Sequence, residues 1–315
     1  MDIKKVDVII PTYKPDEKFE LLIRRLLRQT VRVQNIIVVN TKTGVFPWDI
    51  TGLDSRIIVK EINKNEFDHG GTRRMAMEMS DAEIVICMTQ DAVPQNDRLV
   101  ENLISPFSDS SVGCSYARQL PDETCDVIES YTRQFNYPAQ SCVKNLDSVK
   151  KIGIKAFFCS NVCAAYRRSY YEEAGGFVKR AIFNEDMIMA AHMMKLGYQC
   201  AYAADAKVIH SHNYTCVQQL KRNFDVAVSQ AEHPDIFKGV PSESEGIRLV
   251  KQTAGYLIRI RKPWLVAKLV IKSGFKYAGY FLGKRYKRLP LGLVKKLSSN
   301  PKYWTNVKKE SQNCD

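Results

Sequence analysis

The sequence predicts an α/β fold in which a mostly parallel sheet is flanked by helices. Short apolar runs alternate with segments of helical periodicity over the first 120 residues, a pattern typical of strands joined by helices. Hydrophobic residues make up 45% of the 315 residues, which is enough for one large domain with an appendage or for two modest domains.

The first half of the chain carries the regular part of this pattern. Strands are predicted over residues 6–10, 35–40, 56–60, 83–88 and 112–116, and Pro11 is expected to end the first of them. Helices are predicted over 16–28, 71–80 and 97–107, where apolar residues recur at helical spacing. Ligands bind such sheets at the carboxyl ends of the strands, so the residues that follow each strand are the first candidates for a site.

The second half is less regular. The apolar segment 156–166 predicts a strand, and 170–176 predicts a helix. A second helix is expected over 185–196 with Gly197 as its stop signal. A short strand at 207–210 leads into His210 and His212, and a further helix is expected to run to about residue 230.

Charge divides the chain into two parts. Residues 1–235 carry a net charge of −1, whereas residues 236–315 carry +14. Between residues 246 and 309 there are 17 basic residues and no acidic one. We therefore predict one domain over 1–235 and a basic, amphipathic helical extension over 236–315.

Aromatic and aliphatic residues alternate with the basic ones in this extension. Lys268, Lys272 and Lys276 recur every four residues and should share one helix face. This pattern favours an anionic membrane surface as partner. In the alternative interpretation, the apolar positions pack on the body and the lysines face water. Nucleic acid is not expected as a partner.

Several classes of protein are disfavoured. No GxGxxG follows the first strand and no GxxxxGK[ST] occurs, which argues against ordinary dinucleotide and P-loop sites. The nine cysteines contain no CxxC pair, and we expect most to be buried thiols. No stretch is long and apolar enough to span a bilayer, and no signal peptide is evident, so a cytoplasmic location is expected.

Four groups of residues carry candidate chemistry. Asp91 follows an apolar strand and suits a hard divalent cation, although a capping role is also typical of such a position. Glu185 and Asp186 open a helix, where the helix dipole favours them and where one could act as a general base. His210 and His212 alternate on an extended segment, so they should point to opposite faces.

The fourth group is the segment 68–74, DHGGTRR, at a predicted helix start. Adjacent glycines allow close approach of a ligand to the backbone, and two arginines add positive charge. A phosphate-facing loop and a plain tight turn are both consistent with this stretch.

Seven motifs in order resemble family 2 glycosyltransferases, which have the GT-A fold. They are VDVIIPTYK (6–14), NIIVVNTKTG (35–44), FDHGGTRRMAM (67–77), VICMTQDA (85–92), EEAGGF (172–177), NEDMIMAAHMMKLGY (184–198) and VIHSHNYT (208–215). The resemblance covers residues 5–230, and its DHGGTRR and TQDA variants are similar to those of bacterial rhamnosyltransferases.

The resemblance implies an inverting transfer from a nucleotide sugar with Mg²⁺ or Mn²⁺. Asp186 matches the catalytic base, with Glu185 beside it. Asp91 matches the last carboxylate of the family's DxD motif, Thr89 replaces the first, and His210 or His212 matches the histidine that completes the metal site. The residues assigned to the nucleotide sugar are Pro11, Thr12, Tyr13, Asn40, Thr41, His69, Gly71, Arg73, Gln90 and Asp91, and those assigned to the acceptor side are Gly176 and Phe177.

Asn40 and Thr41 stand where the family usually has acidic residues, which leaves the nucleotide base open. The resemblance implies transfer of L-rhamnose from dTDP-rhamnose to a glycan or lipid-linked glycan acceptor in cell-surface polysaccharide synthesis, at the inner face of the plasma membrane. The alternatives are a UDP-hexose or UDP-N-acetylhexosamine donor and a catalytically inactive membrane-bound homologue. A sugar-phosphate nucleotidyltransferase is disfavoured because PTYKPDEK has no glycine. Assembly into a homodimer is left open.

Overall fold

The computed structural model describes residues 5–43, 50–240 and 243–304. The chain divides into two compact units. The first comprises residues up to Cys125, Arg133–Arg180 and Glu185–Ser211, and the second comprises Asp126–Thr132, Ala181–Asn184 and the residues from His212 onward.

One mixed sheet forms the first unit. Its parallel part consists of β1 (Val6–Tyr13), β2 (Ile36–Thr41), β3 (Ile57–Ile62) and β4 (Ile84–Met88), in the order β3-β2-β1-β4. β2 and β4 are almost continuously apolar because both of their faces are covered. The helices that follow the strands are α1 (Glu17–Leu26), α2 (His69–Glu78) and α3 (Leu99–Ile104).

The rest of the sheet combines parallel and antiparallel pairs. It contains β5 (Val93–Pro94), β6 (Val112–Leu120), β7 (Cys142–Lys144), β8 (Cys163–Arg167) and β9 (Gln199–Ile209). β8 is antiparallel to β4 and β6, whereas β6 and β9 are parallel. Four helices lie along this part of the chain: α4 (Val127–Asn136), α5 (Ser148–Ile152), α6 (Arg168–Glu173) and α7 (Glu185–Lys195).

The predicted α/β class is confirmed, and three local predictions are wrong. Pro11 does not end β1, because its missing N–H is tolerated and the strand pairs with β2 as far as Tyr13. The segment 156–166 is a 3₁₀ turn, a loop and the start of β8 instead of one strand. β9 covers eleven residues where only 207–210 were predicted, and β5, β7 and α4 were not predicted.

The second unit is helical. It contains α8 (Cys216–Glu232), α9 (Pro234–Phe237), α10 (Glu243–Arg259), α11 (Leu265–Gly283) and α12 (Leu291–Leu297). A core cluster joins Phe224 and Val228 of α8 to Val294, Tyr303 and Trp304. α8 therefore groups with the basic segment, whereas the sequence interpretation placed it in the first domain.

Two glycines let α11 approach α8 closely. A Cβ atom on Gly279 would overlap the carbonyl oxygen of Leu220, and one on Gly283 would overlap that of Phe224. Gly274, on the same helix, has open space around it. The basic segment thus covers part of the core of its own unit, as the packing interpretation of the sequence allowed.

Five large apolar side chains of α11 are exposed. Val270, Ile271, Phe275, Tyr277 and Phe281 are 36–59% exposed, and we call these five residues the apolar face of α11. None of the described helices is both long and apolar enough to span a bilayer.

Two of the three regularly spaced lysines of α11 form ion pairs within the unit. Lys268 and Lys272 both reach the Asp126 carboxylate, at 3.3 and 2.8 Å. Burial disfavours the charged form of Asp126, but these ammonium groups and the Glu129 backbone N–H outweigh it and lower the pKa of Asp126 to about 2. Of these two lysines, Lys272 is largely buried, whereas Lys268 remains half exposed to solvent.

Candidate active site

The carboxyl ends of β1 and β2 carry the residues assigned to the nucleotide. Thr12 donates a hydrogen bond to Asn40 Oδ1 at 3.0 Å, and both side chains are buried. Tyr13 is exposed, and its hydroxyl accepts from Lys64 Nζ at 2.8 Å. Lys14 Nζ lies 5.8 Å from the same ring. An exposed aromatic ring with two ammonium groups suits a nucleotide diphosphate better than the buried Thr12 and Asn40 do.

Gln90 ties the end of β4 to the end of β1. Its Oε1 accepts from the Tyr13 backbone N–H at 2.7 Å, and its Nε2 donates to the Tyr13 carbonyl oxygen at 3.2 Å. Two nearby threonine hydroxyls, those of Thr41 and Thr89, are buried with no hydrogen-bond partner among the described residues. Such orphaned donors are costly, and they lie at the strand ends where the sequence predicts a ligand.

Asp91 and His210 come together across the sheet. The Asp91 Oδ2 atom lies 3.5 Å from His210 Nε2, and the histidine is buried. His210 Nδ1 lies 3.1 Å from Gln119 Oε1. His212, two residues along, is half-buried beside Tyr214 and belongs to the second unit.

The Gln119 amide has a defined orientation. Its Nε2 donates to Ser160 Oγ at 3.0 Å, while its Oε1 accepts from the Arg133 guanidinium. Because Oε1 can only accept, His210 Nδ1 must carry its proton to pair with it. The lone pair of His210 Nε2 then faces Asp91, which is the arrangement a metal-binding histidine needs. Gln119 was not among the residues assigned from the sequence.

Glu185 and Asp186 are held by one asparagine at the start of α7. Asn161 donates its backbone N–H to Asp186 Oδ2 at 3.0 Å and its Nδ2 to Glu185 Oε1 at 3.2 Å. The Asn161 Oδ1 accepts from the buried Tyr166 hydroxyl at 2.8 Å, which sets the orientation of its amide. The two carboxylates therefore occupy different surroundings.

The two carboxylates have opposite pKa shifts. Burial, and after it the neighbouring charge of Glu185, raise the pKa of Asp186 to about 7. Burial also opposes ionisation of Glu185, but Arg73, His69 and Asn161 outweigh it and hold the pKa of Glu185 below its ordinary range. Asp186 thus has the proton affinity of a general base, and Glu185 stays ionised beside it.

Arg73 contacts Glu185 instead of facing a phosphate. Its Nη1 lies 3.0 Å from Glu185 Oε1 and also donates to the His69 carbonyl oxygen at 3.0 Å. Arg73 is buried, and its assignment to the nucleotide sugar stays a prediction. A buried guanidinium needs a buried anion, and Glu185 provides it.

Gly71 has no amide free for a phosphate either. The Asp68 carboxylate caps α2 by accepting from the N–H groups of Gly70 and Gly71, both at 2.9 Å. A Cβ on Gly71 would lie 2.9 Å from the Lys179 carbonyl oxygen, so glycine here serves close backbone packing. These contacts explain the glycine by packing and capping, and the phosphate-facing role of Gly71 stays a prediction from the sequence.

The two residues assigned to the acceptor side are both buried, and their role stays a prediction. Phe177 is fully buried, with its ring edge-on to Tyr166 at a centroid distance of 5.3 Å. Gly176 is buried with a φ of 74°, beside the Tyr171 hydroxyl. Phe177 thus lies in the core, whereas Gly176 lines a surface pocket together with Arg74 and Tyr171.

Comparison with known proteins adds three findings. Residues 7–175 match the family model described as "Glycosyl transferase family 2". The chain is 35% identical over 309 residues to the O-antigen chain rhamnosyltransferase RfbN of Salmonella typhimurium (strain LT2), covering 98% of each protein. It is 34% identical over 307 residues to the O-antigen chain rhamnosyltransferase WbaN of Salmonella anatum, covering 96% of this chain and 97% of that one.

Solved structures of low identity share the fold. A mannosyltransferase from Pyrobaculum calidifontis, in complex with GDP-Man and Mn²⁺, superposes with a TM-score of 0.56 at 16% identity, covering 96% of this chain and 83% of that one. Residues 1–349 of S. aureus TarS, in complex with UDP-GlcNAc, give a TM-score of 0.53 at 13% identity, covering 90% and 92%.

Proposed function

Because the chain belongs to glycosyltransferase family 2, we propose that it is an inverting rhamnosyltransferase of cell-surface polysaccharide synthesis. The proposal rests on two relatives named O-antigen chain rhamnosyltransferases, each at least 34% identical over nearly the whole chain. We propose dTDP-L-rhamnose as the donor and a lipid-linked glycan as the acceptor.

The donor is proposed to bind at the ends of β1 and β4. Tyr13 offers an exposed ring, and Lys14 and Lys64 place positive charge beside it, where a base or diphosphate would be stabilised. Thr12 and Asn40 act below the surface, where their hydrogen bond positions the strand ends.

The residues at Asp91 fit a divalent cation, Mg²⁺ or Mn²⁺. A carboxylate oxygen and an imidazole nitrogen face one another at 3.5 Å, and Gln119 sets the imidazole tautomer. Oxygen and imidazole donors suit these ions. When bound, the ion would neutralise charge on the departing diphosphate. The role of His212 as a further ligand remains a prediction from the sequence.

In the proposed transfer step, Asp186 acts as the general base and Glu185 lies beside it. Asp186 accepts the proton of the acceptor hydroxyl while that oxygen forms a bond to the anomeric carbon of the donor. The bond between that carbon and the diphosphate oxygen breaks, and its electron pair leaves with the diphosphate. The Asn161 backbone N–H holds the Asp186 carboxylate in place, and the charge of the neighbouring Glu185 raises the pKa of Asp186. One displacement inverts the anomeric centre.

The donor proposal is tested by a transfer assay with several nucleotide sugars. We expect turnover with dTDP-L-rhamnose and at least tenfold less with UDP-galactose, UDP-N-acetylglucosamine and GDP-mannose. Asp186→Asn should lose about 10²–10⁴-fold in rate and keep donor affinity within a few-fold. Asp81→Asn, an exposed carboxylate elsewhere in the first unit, is the matched control and should be fully active. Turnover only with a UDP sugar would refute the donor, and turnover with none would support the inactive homologue.

We further propose that the apolar face of α11 binds an anionic membrane surface, at the inner face of the plasma membrane. Exposed basic residues flank this face on both sides: Arg259, Arg261 and Lys262 before α11, and Arg285, Lys287 and Arg288 after it. Apolar side chains at the centre and basic ones at the ends match the acyl region and headgroups of a bilayer.

Point variants on this face test the membrane proposal better than truncation, because the segment also covers core residues of α8. Ile271→Asp, at a position 56% exposed, should weaken binding to phosphatidylglycerol vesicles at least tenfold. Val217→Asp, at a position 57% exposed on α8, is the matched control and should bind normally. Equal flotation of both variants would refute the proposal, and loss of a homodimer in Ile271→Asp without any vesicle binding would assign the face to a second copy.

A further inference from the structure

Three cysteines converge inside the sheet, away from the acidic pair and Asp91. Cys114 on β6 and Cys200 on β9 are directly paired in register, and Cys159 lies on the loop before β8. All three are free and fully buried, and their sulfur atoms lie within 4.8 Å of one another. We call them the thiol cluster.

A buried lysine lies beside the thiol cluster. Lys144 on β7 pairs in register with Cys200, so Cys114, Cys200 and Lys144 follow one another across three adjacent strands on one face of the sheet. The Lys144 ammonium donates to the Tyr116 hydroxyl at 3.1 Å and to the carbonyl oxygens of Lys155 and Phe158.

These acceptors of Lys144 are all neutral. Cys200 Sγ contacts the Phe158 carbonyl oxygen that Lys144 also reaches, at 4.0 Å. A buried cation is costly unless an anion lies near it, and none of these three acceptors is a carboxylate. A thiolate at Cys200, the residue that Lys144 pairs with in register, would supply that counter-charge.

Charge and geometry both favour a thiophilic divalent cation. Three thiolates and one divalent ion carry a net charge of −1, and the Lys144 ammonium brings the buried group to neutrality. Zinc–sulfur bonds of about 2.3 Å set sulfur atoms roughly 3.8 Å apart, so the cluster needs to contract by about 1 Å at most from its 4.8 Å limit. Soft thiolates select Zn²⁺ or Cd²⁺ over Mg²⁺ and Mn²⁺.

We propose that Cys114, Cys159 and Cys200 form a second, structural metal site for Zn²⁺, with Lys144 as its charge-balancing neighbour. The bound ion would join β6, β9 and the loop that begins at Cys159. That loop continues into Ser160, which contacts Gln119, and Asn161, which holds both carboxylates. The site would therefore stiffen the backbone that positions the catalytic base.

The test is a titration of the reduced, chelator-treated full chain with Cd²⁺, followed by the ultraviolet band of thiolate-to-cadmium charge transfer. We expect the band to saturate at about one equivalent, with an amplitude that corresponds to three thiolates. The protein purified without chelator should also contain about one zinc per chain by atomic emission. Carboxylate and imidazole ligands produce no such band, so Asp91→Ala should leave it unchanged.

Cysteine variants identify the ligands. Cys200→Ala should lose the band, whereas Cys163→Ala, which removes a buried thiol outside the cluster, should keep it. If Cys200→Ala fails to fold, the wild-type titration still decides the matter. Absence of a thiolate band at tenfold excess of Cd²⁺ together with zinc below about a tenth of an equivalent, or an undiminished band in folded Cys200→Ala, would overturn the proposal.

Discussion

Asp186 should titrate near neutrality, and replacing it with asparagine should change how stability depends on pH. Its pKa rises from 3.8 to about 7 in the folded chain, mainly through burial and then through the Glu185 charge. In the unfolded chain it returns to its ordinary value. The folded state therefore holds this proton more tightly, and the resulting stabilisation, complete below about pH 4, is lost as the pH rises through 7.

The magnitude follows from the size of the shift. Three pKa units correspond to about 4 kcal/mol, which is an upper bound for the stability that the wild type loses through this group between pH 4 and pH 8. Asp186→Asn has no such proton, so the free energy of unfolding of the variant, relative to wild type, should increase over that range. At about 2 °C per kcal/mol, the difference in Tm should grow by up to roughly 8 °C.

The measurement is a series of urea and thermal unfolding curves at half-unit steps from pH 4.5 to 8.5. Asp81→Asn is the control, because that carboxylate is exposed and forms an ion pair with Lys5 at 3.0 Å; this variant should show no upward trend. Parallel pH dependence of wild type and Asp186→Asn would show that Asp186 titrates normally, and the assignment of the base would lose its electrostatic support.

The remaining predictions concern neighbouring features. Glu185→Gln removes the charge that helps to raise the pKa of the base, so the acidic limb of the kcat/KM profile should move to lower pH by about one unit; an unmoved limb would contradict this. Gln119→Leu should lower Mn²⁺ affinity about 10–100-fold by calorimetry, because the metal-facing histidine loses its tautomer control; unchanged affinity would reject that role. Transfer activity of the wild type should vanish in EDTA and return when Mn²⁺ is added. The activity of Asp91→Ala should stay low when Mn²⁺ is added. Gly279→Ala should lower Tm by several degrees through its clash with α8, whereas Gly274→Ala on the open side should be neutral or stabilising by up to about 1 kcal/mol; equal effects would refute the packing argument.

The strand ends were predictable because their sequence signals are local. Apolar runs such as 35–40 and 83–88 are continuous in the sequence and buried on both faces in the structure, so the residues after them were identified correctly as strand termini. The first part of β9 was not predicted, because its alanines, tyrosine and cysteine show no alternation that marks a strand. β9 forms a strand because it pairs with β6 on one side and β7 on the other, and these pairings are not visible in the sequence.

Residue type alone did not reveal which way a side chain faces. Arg73 was assigned to a phosphate because it is positive, yet its partner Glu185 lies 112 residues further along the chain. Phe177 was assigned to the acceptor side and lies in the core. The thiol cluster and the role of Gln119 were not predicted for the same reason. Only the register of β6 against β9 and the course of the following loops bring the three cysteines together and place Gln119 beside His210.

The apolar face of α11 has a kinetic consequence. An enzyme that this face holds at a bilayer meets a lipid-linked acceptor by diffusion in two dimensions, at an effective concentration set by the surface. Its rate should then depend on the mole fraction of acceptor in the membrane and fall when inert lipid is added at constant bulk acceptor concentration. A rate that follows bulk concentration alone would mean that the face does not retain the enzyme between turnovers.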